Sequence, residues 1–232
     1  MTDPTRALYA SVYRGDTTWN ANLDARLARL ESGSLDAKSR ELIFVVGHLL
    51  NENGEAARYH QKRARKHGAI NDDFRLILKI LDFYRGLRIF QDAQKLVGFW
   101  RSGNFPEIRK PSNGSVQEIF EEIIRTRTYI ANGFRVYSAD GDWLRLYLER
   151  SDNIKASPKS LDDRLVQLVS LAVTLKNHRY SNNWNDGCIQ VHDEKARALG
   201  ASAQDILEVV QIIEICESSA TALQGKQYLD LD

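Results

Sequence analysis

Apolar residues recur along this chain at helical spacing. Leu42, Val45, Val46, Leu49 and Leu50 fall at i, i+3, i+4, i+7 and i+8, and Leu76, Ile77, Ile80, Leu81 and Tyr84 follow a similar course. In the second half Leu165, Leu168, Val169 and Val173 repeat the pattern, as do Ile206, Val209, Val210, Ile213 and Cys216. No stretch alternates with period two, so the pattern predicts an all-α protein. Pro4, Pro106, Pro111 and Pro158 all lie outside the periodic runs, which leaves those runs free to form unbroken helices.

The segment Arg101 to Ser115 breaks the periodicity with two prolines and two glycines, and reads as a linker. It divides the chain into residues 1–105, a connection at 106–115, and residues 116–232. The two halves look like tandem repeats. Ser34-Leu35-Asp36 and Ser160-Leu161-Asp162 each precede an amphipathic run, and Ser34 and Ser160 are the expected N-caps. His60 stands eight residues before Gly68-Ala69, and His192 eight before Gly200-Ala201; each glycine sits where a helix end favours left-handed backbone. Asn71 in the first repeat and Ser202 in the second are the expected caps of the next helix. From Glu41 to His60 is 19 positions, whereas from Gln167 to His192 is 25, so the second repeat carries six extra residues, placed within Asn177 to Trp184.

With 232 residues, 43% of them hydrophobic, the chain can bury a substantial core, which excludes a disordered protein. Lys plus Arg is 32 against 31 Asp plus Glu, and a net charge of +1 gives no electrostatic reason to expect nucleic acid or an anionic membrane as partner. Cys188 and Cys216 are too few for a disulfide framework and point to a reducing compartment. The N-terminus has no apolar leader, and Leu42 to Leu50 is too short to span a bilayer. The expectation is a soluble, cytoplasmic protein.

The candidate chemistry lies on the two histidine helices. Ala56, His60, Ala64 and His67 share one face, and Cys188, His192, Ala196 and Leu199 another. Burial lowers the pKa of such an imidazole and a nearby carboxylate raises it. A zinc site needs three or four ligands, and Cys188 with His192 supplies two, so no metal is expected. Gly-rich phosphate loops, nucleophile elbows and dinucleotide fingerprints are missing from the sequence.

Lys38-x-Arg40-Glu41-Leu42, His60 nineteen residues after Glu41, and then Gly68-Ala69 together resemble the carboxymuconolactone decarboxylase and AhpD-like alkylhydroperoxidase superfamily. The resemblance extends over about Leu35 to Ala93 and Leu161 to Leu223. It implies two tandem AhpD-like helical repeats packed as a pseudo-two-fold pair. The peroxidase branch places two cysteines between the Glu and the His. Here those positions hold Asn53 and Ala56 in the first repeat, and Asn185 and Cys188 in the second, where Gln167 replaces the Glu. A dithiol mechanism therefore lacks its cysteine pair. The decarboxylase branch needs neither dithiol nor cofactor, and the second repeat resembles it further in Gly187.

On that resemblance the favoured function is a cofactor-independent lyase or isomerase, using His acid–base chemistry on a small lactone or oxidised aromatic-derived acid. His192 leads as catalytic group with Cys188 beside it, and His60 with Glu41 forms the second set. Asn185, Trp184 and Tyr180 are candidate pocket walls, and Arg40 a candidate anchor for a substrate carboxylate. A small-molecule-binding or scaffold protein without chemistry, and a thiol-dependent peroxidase acting through Cys188, remain as alternatives. The resemblance also implies a homo-oligomer, a trimer or dimer of the two-repeat chain.

Overall fold

A computed structural model of the chain describes residues 3–85, 115–127, 140–156, 160–177 and 188–229. It is all-α. The first half holds α1 (Pro4–Val12), α2 (Thr17–Glu31), α3 (Ala37–Leu50), α4 (Gly54–Lys66) and α5 (71–85). The second holds α6 (Val116–Arg127), α7 (Gly141–Ala156), α8 (Asp163–Asn177), α9 (Cys188–Ala198) and α10 (Ala203–Lys226). Most of the expected linker lies outside the described residues.

The helices start where short acidic or hydroxyl side chains cap them, though not always at the expected residue. Asp36 accepts the Ser39 N–H at 2.9 Å, and Asp162 accepts the Leu165 N–H at 2.7 Å, so these aspartates cap α3 and α8 in place of Ser34 and Ser160. Asn71 is likewise already inside α5. The cap there closes on Ile70, whose N–H donates to Asp73 at 3.0 Å. Ser202 caps α10 as expected, in a reciprocal box with Asp205. Gly68 and Gly200 take φ of +88° and +93°, the left-handed backbone their positions require.

Helix α3 lies at the centre. Ser39 through His48 are all buried, because α4, α8 and α10 pack around it. Leu42, Ile43 and Val46 meet Leu168, Val169 and Ala172 of α8, and Val209, Ile212 and Ile213 of α10, in one continuous core. Within the run predicted for α10, Val210 turns outward and is exposed. A smaller core of Phe83, Ile119, Ile123, Leu144, Tyr147 and Leu148 joins α5 to α6 and α7.

Two contacts of α10 are among those that tie the halves together. Glu208 of α10 is buried and accepts the backbone N–H groups of Ser34 and Leu35, while the Ser34 hydroxyl donates to Asp205 at 2.6 Å. At the crossing of α3 and α10, a Cβ on Gly47 would stand 2.6 Å from Cys216 Sγ and 3.2 Å from Ile213 Cδ1. Gly47→Ala is therefore expected to destabilise the protein by about 1–3 kcal/mol through overpacking. Denaturant melts of Gly47→Ala with and without Cys216→Ala check this, since removing the sulfur should recover part of the loss while the Cys216 Cβ, 3.0 Å from the added methyl, remains.

Candidate active site

Helix α4 carries His60 and Arg63 on the side facing α3, which brings both to Glu41. His60 Nδ1 donates to Glu41 Oε2 at 2.7 Å, and Arg63 Nε donates to Oε1 at 2.8 Å. Burial pushes the Glu41 carboxyl up. The hydrogen bond and charge of His60, with the Arg63 guanidinium, outweigh it and hold the group below the usual carboxylate range. Glu41 is thus an ionised acceptor with both oxygens engaged; it keeps a proton on His60 Nδ1 and leaves Nε2 as the ring atom at which a second proton is gained or lost. Nε2 has no hydrogen-bond partner among the described residues. Arg63 is held in turn by Tyr59, whose hydroxyl accepts from Nη1 at 3.3 Å.

The His60 ring is lined by aromatic groups. Phe44 stacks on it at 4.3 Å and 8° between planes, Tyr59 meets it edge-on, and the ring of His48 lies 5.2 Å away at 17°. His48 is fully buried and neither of its ring nitrogens has a protein partner. Burial, with the neighbouring His60, pushes its pKa down to about 3.

The second half surrounds its histidine differently. His192 Nδ1 lies 2.8 Å from Gln167 Oε1, and Nε2 lies 2.7 Å from the Tyr84 hydroxyl, which α5 of the first half supplies. Burial lowers the His192 pKa to about 4, with Lys195 acting in the same direction. Shifting α3 by 126 positions and α5 by 132 aligns Phe44 with Ser170, His48 with Thr174 and Tyr84 with Cys216. The aromatic ring on the histidine comes from α3 at His60 and from α5 at His192. Tyr84 meets His192 edge-on, with centroids 5.4 Å apart.

The structure brings Glu41 to His60 and keeps His192 on a separate pair of helices. Arg40 is buried with Nη1 on the Leu30 and Leu35 carbonyls, so it holds the corner between α2 and α3. Asn53 caps α4 through the Ala56 N–H and donates to Ser219. Tyr180, Trp184 and Asn185 lie outside the described residues, as does the side chain of Cys188, the first residue of α9. Cys216 is buried against the Phe44 carbonyl, and burial raises its thiol well above the ordinary range. His67 ends α4 in the open, away from the face it was expected to share. His48 and Tyr84 were not singled out by the sequence. Periodicity counts Tyr84 as a core position and passes over His48, and only Tyr84's place opposite Cys216 when the two halves are aligned could have marked it. Among the described residues no three His, Cys, Asp or Glu side chains converge as metal ligands, and no helix is long and apolar enough to cross a membrane.

Comparison with known proteins agrees with the resemblance. Residues 14–97 match the family model of the carboxymuconolactone decarboxylase family, a span that contains Glu41 and His60. Among solved structures, the chain is similar to one from Burkholderia xenovorans assigned as a gamma-carboxymuconolactone decarboxylase subunit. The TM-score is 0.66 at 15% identity, over 97% of this chain and 94% of that one, a likeness of fold. No curated protein matches the chain.

Proposed function

From a carboxymuconolactone decarboxylase-type domain at residues 14–97 within that fold, we propose a cofactor-independent lyase or isomerase whose acid–base group is His60. The observation that carries this reading is the 2.7 Å bond from His60 Nδ1 to the ionised Glu41. The sequence ranks His192 first. The electrostatics favour His60, because a carboxylate stabilises the imidazolium that forms when Nε2 takes a proton, whereas His192, at about 4, resists protonation.

The substrate class is a small lactone or oxidised acid with an acidic carbon next to a carbonyl. For isomerisation, Nε2 takes the proton from that carbon, the electron pair moves into the carbonyl, and the imidazolium returns the proton to another carbon. For decarboxylation, carbon dioxide leaves its electron pair as an enolate, and protonated His60 delivers the proton. Glu41 and Arg63 hold the imidazole throughout. In this reading residues 1–105 form the acid–base repeat and 116–232 its diverged partner, joined by 106–115. A scaffold without chemistry is the second reading, favoured by the Phe44 ring stacked on His60, which is 3% exposed.

The test is NMR in deuterated water on a panel of γ-lactone carboxylic acids, following loss of carbon dioxide and uptake of deuterium at carbon. His60→Gln is expected to lower the rate at least ~100-fold while His192→Gln retains it. The reverse result moves the chemistry to the second repeat. A folded wild type that exchanges no proton on any panel member overturns the enzymatic reading.

A further inference from the structure

His48 is a buried titratable group that the acid–base chemistry leaves unused. Its ring is enclosed on α3, and neither of its nitrogens has a hydrogen-bond partner. A neutral imidazole carries one N–H donor and one acceptor, and a buried donor without an acceptor costs stability. In a native fold such a group calls for an explanation, and a catalytic role is one. The aligned residue of the second half, Thr174, is equally buried, but its hydroxyl is satisfied by the Ser170 and Leu171 carbonyls, both at 3.0 Å. The spare donor lies beside the Glu41–His60 pair. It is also held in place there. The Asn51 and Asn53 N–H groups donate to the His48 carbonyl at 3.2 and 3.0 Å, which fixes the end of α3. Phe44 lies 6.1 Å and His60 5.2 Å from the ring, at 15° and 17° between planes, so its plane follows that of the base. Burial and the neighbouring His60 keep it uncharged. An uncharged N–H can donate to an oxygen without repelling an adjacent imidazolium and without passing on its own proton.

We infer that His48 is a second catalytic residue of the His60 site, its ring N–H donating to the substrate's carbonyl oxygen as negative charge builds there; the inference rests on the acid–base reading of His60. When His60 Nε2 takes the proton from the carbon next to that carbonyl, the C–H electron pair becomes the carbon–carbon double bond and the carbonyl π pair moves onto oxygen. His48 stabilises the oxyanion by a hydrogen bond alone, and no proton leaves it. The pair returns as the His60 imidazolium protonates carbon. In decarboxylation the pair of the breaking carbon–carbon bond takes the same course. The substrate is then a lactone or ketone whose carbonyl oxygen lies on the His48 side of the reacting carbon. A fixed donor in an enclosed site acts on that oxygen more strongly than water does.

The experiment uses the full chain and the same γ-lactone carboxylic acids. Deuterium uptake at carbon gives the rate, and nitrogen-labelled histidine reports the His48 ring N–H by NMR. Saturating lactone is expected to move that resonance downfield in wild type and also in His60→Gln, which lacks the base. His48→Phe fills the same space and removes the donor; it is expected to lower kcat at least ~100-fold with KM within about threefold, while melting no lower than wild type. His48→Gln, which restores an N–H, is expected to run at least ~10-fold faster than His48→Phe. A ring that only packs predicts no loss of rate from a variant that packs as well. A His48→Phe protein as fast as wild type, or a His48 N–H unmoved by saturating lactone, overturns the inference. Wild type that moves the His48 N–H yet exchanges no proton overturns the acid–base reading, and the catalytic role of His48 with it, while the carbonyl contact stands.

Discussion

Acidification from about pH 7.5 to about pH 4.5 is expected to remove roughly 5 kcal/mol of stability, at about 1.4 kcal/mol per pH unit for each of two buried histidines. His48 and His192 have folded pKa values of about 3 and about 4, both below the ordinary histidine value reached on unfolding. Above that ordinary value both states are neutral and the stability is fully present. As pH falls below it, the unfolded chain takes up protons that the folded chain refuses, so stability drops until pH approaches the folded values. The carboxyls of Glu41, Asp36 and Asp205 are held below their ordinary range and add to the loss only at lower pH. Urea melts across this window check it, and a flat profile would sink the idea. His48→Phe retains a ring between Phe44 and α4 while removing one titrating group, so the slope should fall from nearly two protons to nearly one. At neutral pH the same variant should be about 1–3 kcal/mol more stable, because two orphaned ring nitrogens are gone.

The second large effect is at Glu41. Glu41→Ala leaves the buried His60 Nδ1 without an acceptor and takes the carboxylate from Arg63, which is one-third exposed, and removing one partner of a buried pair such as Glu41 with His60 costs about 3–5 kcal/mol. Glu41→Gln is expected to cost less, about 1–3 kcal/mol. The Gln167–His192 bond demonstrates that an amide can serve a histidine in this geometry, but its NH2 cannot accept from Arg63. Denaturant midpoints of the two variants decide the matter. Equal losses would mean that the cavity rather than the charge sets the cost. If Glu41→Gln loses the reaction while keeping most of the stability, the carboxylate is supporting the imidazolium as well as the fold.

Helices and histidine positions were legible because burial writes itself as period. Leu165, Leu168, Val169 and Val173 read as a buried face and are one. Repetition made the histidines visible, since His60 and His192 recur at a fixed distance from a glycine whose backbone demands that residue. The caps were less legible. Ser34 and Asp36 are both good caps, and the choice between them depends on Asp205 and Glu208, over 170 positions away, which engage Ser34 instead. Arg40 resembles an anchor in sequence, and only the tertiary turn of α2 onto α3 shows its guanidinium engaged with carbonyls. Tyr84 escaped because a pattern of apolar positions records whether a side chain is inside and not what its polar atom meets there, and His48 because it lies off the apolar stripe of a helix that is buried all round.

The Glu208 contact has a consequence for how the chain assembles. The amides at Ser34 and Leu35 leave the ribosome well ahead of their acceptor, Glu208, which follows Leu35 by 173 positions. Until α10 arrives, the corner that leads into the central helix has unsatisfied donors, and the α3 surface that α10 covers is open to water. The corner at Ser34 and Leu35 is therefore completed only when α10 docks, and contacts of that sequence span slow closure. Two halves interlocked in this way leave synthesis itself as the interval in which the α3 surface is exposed.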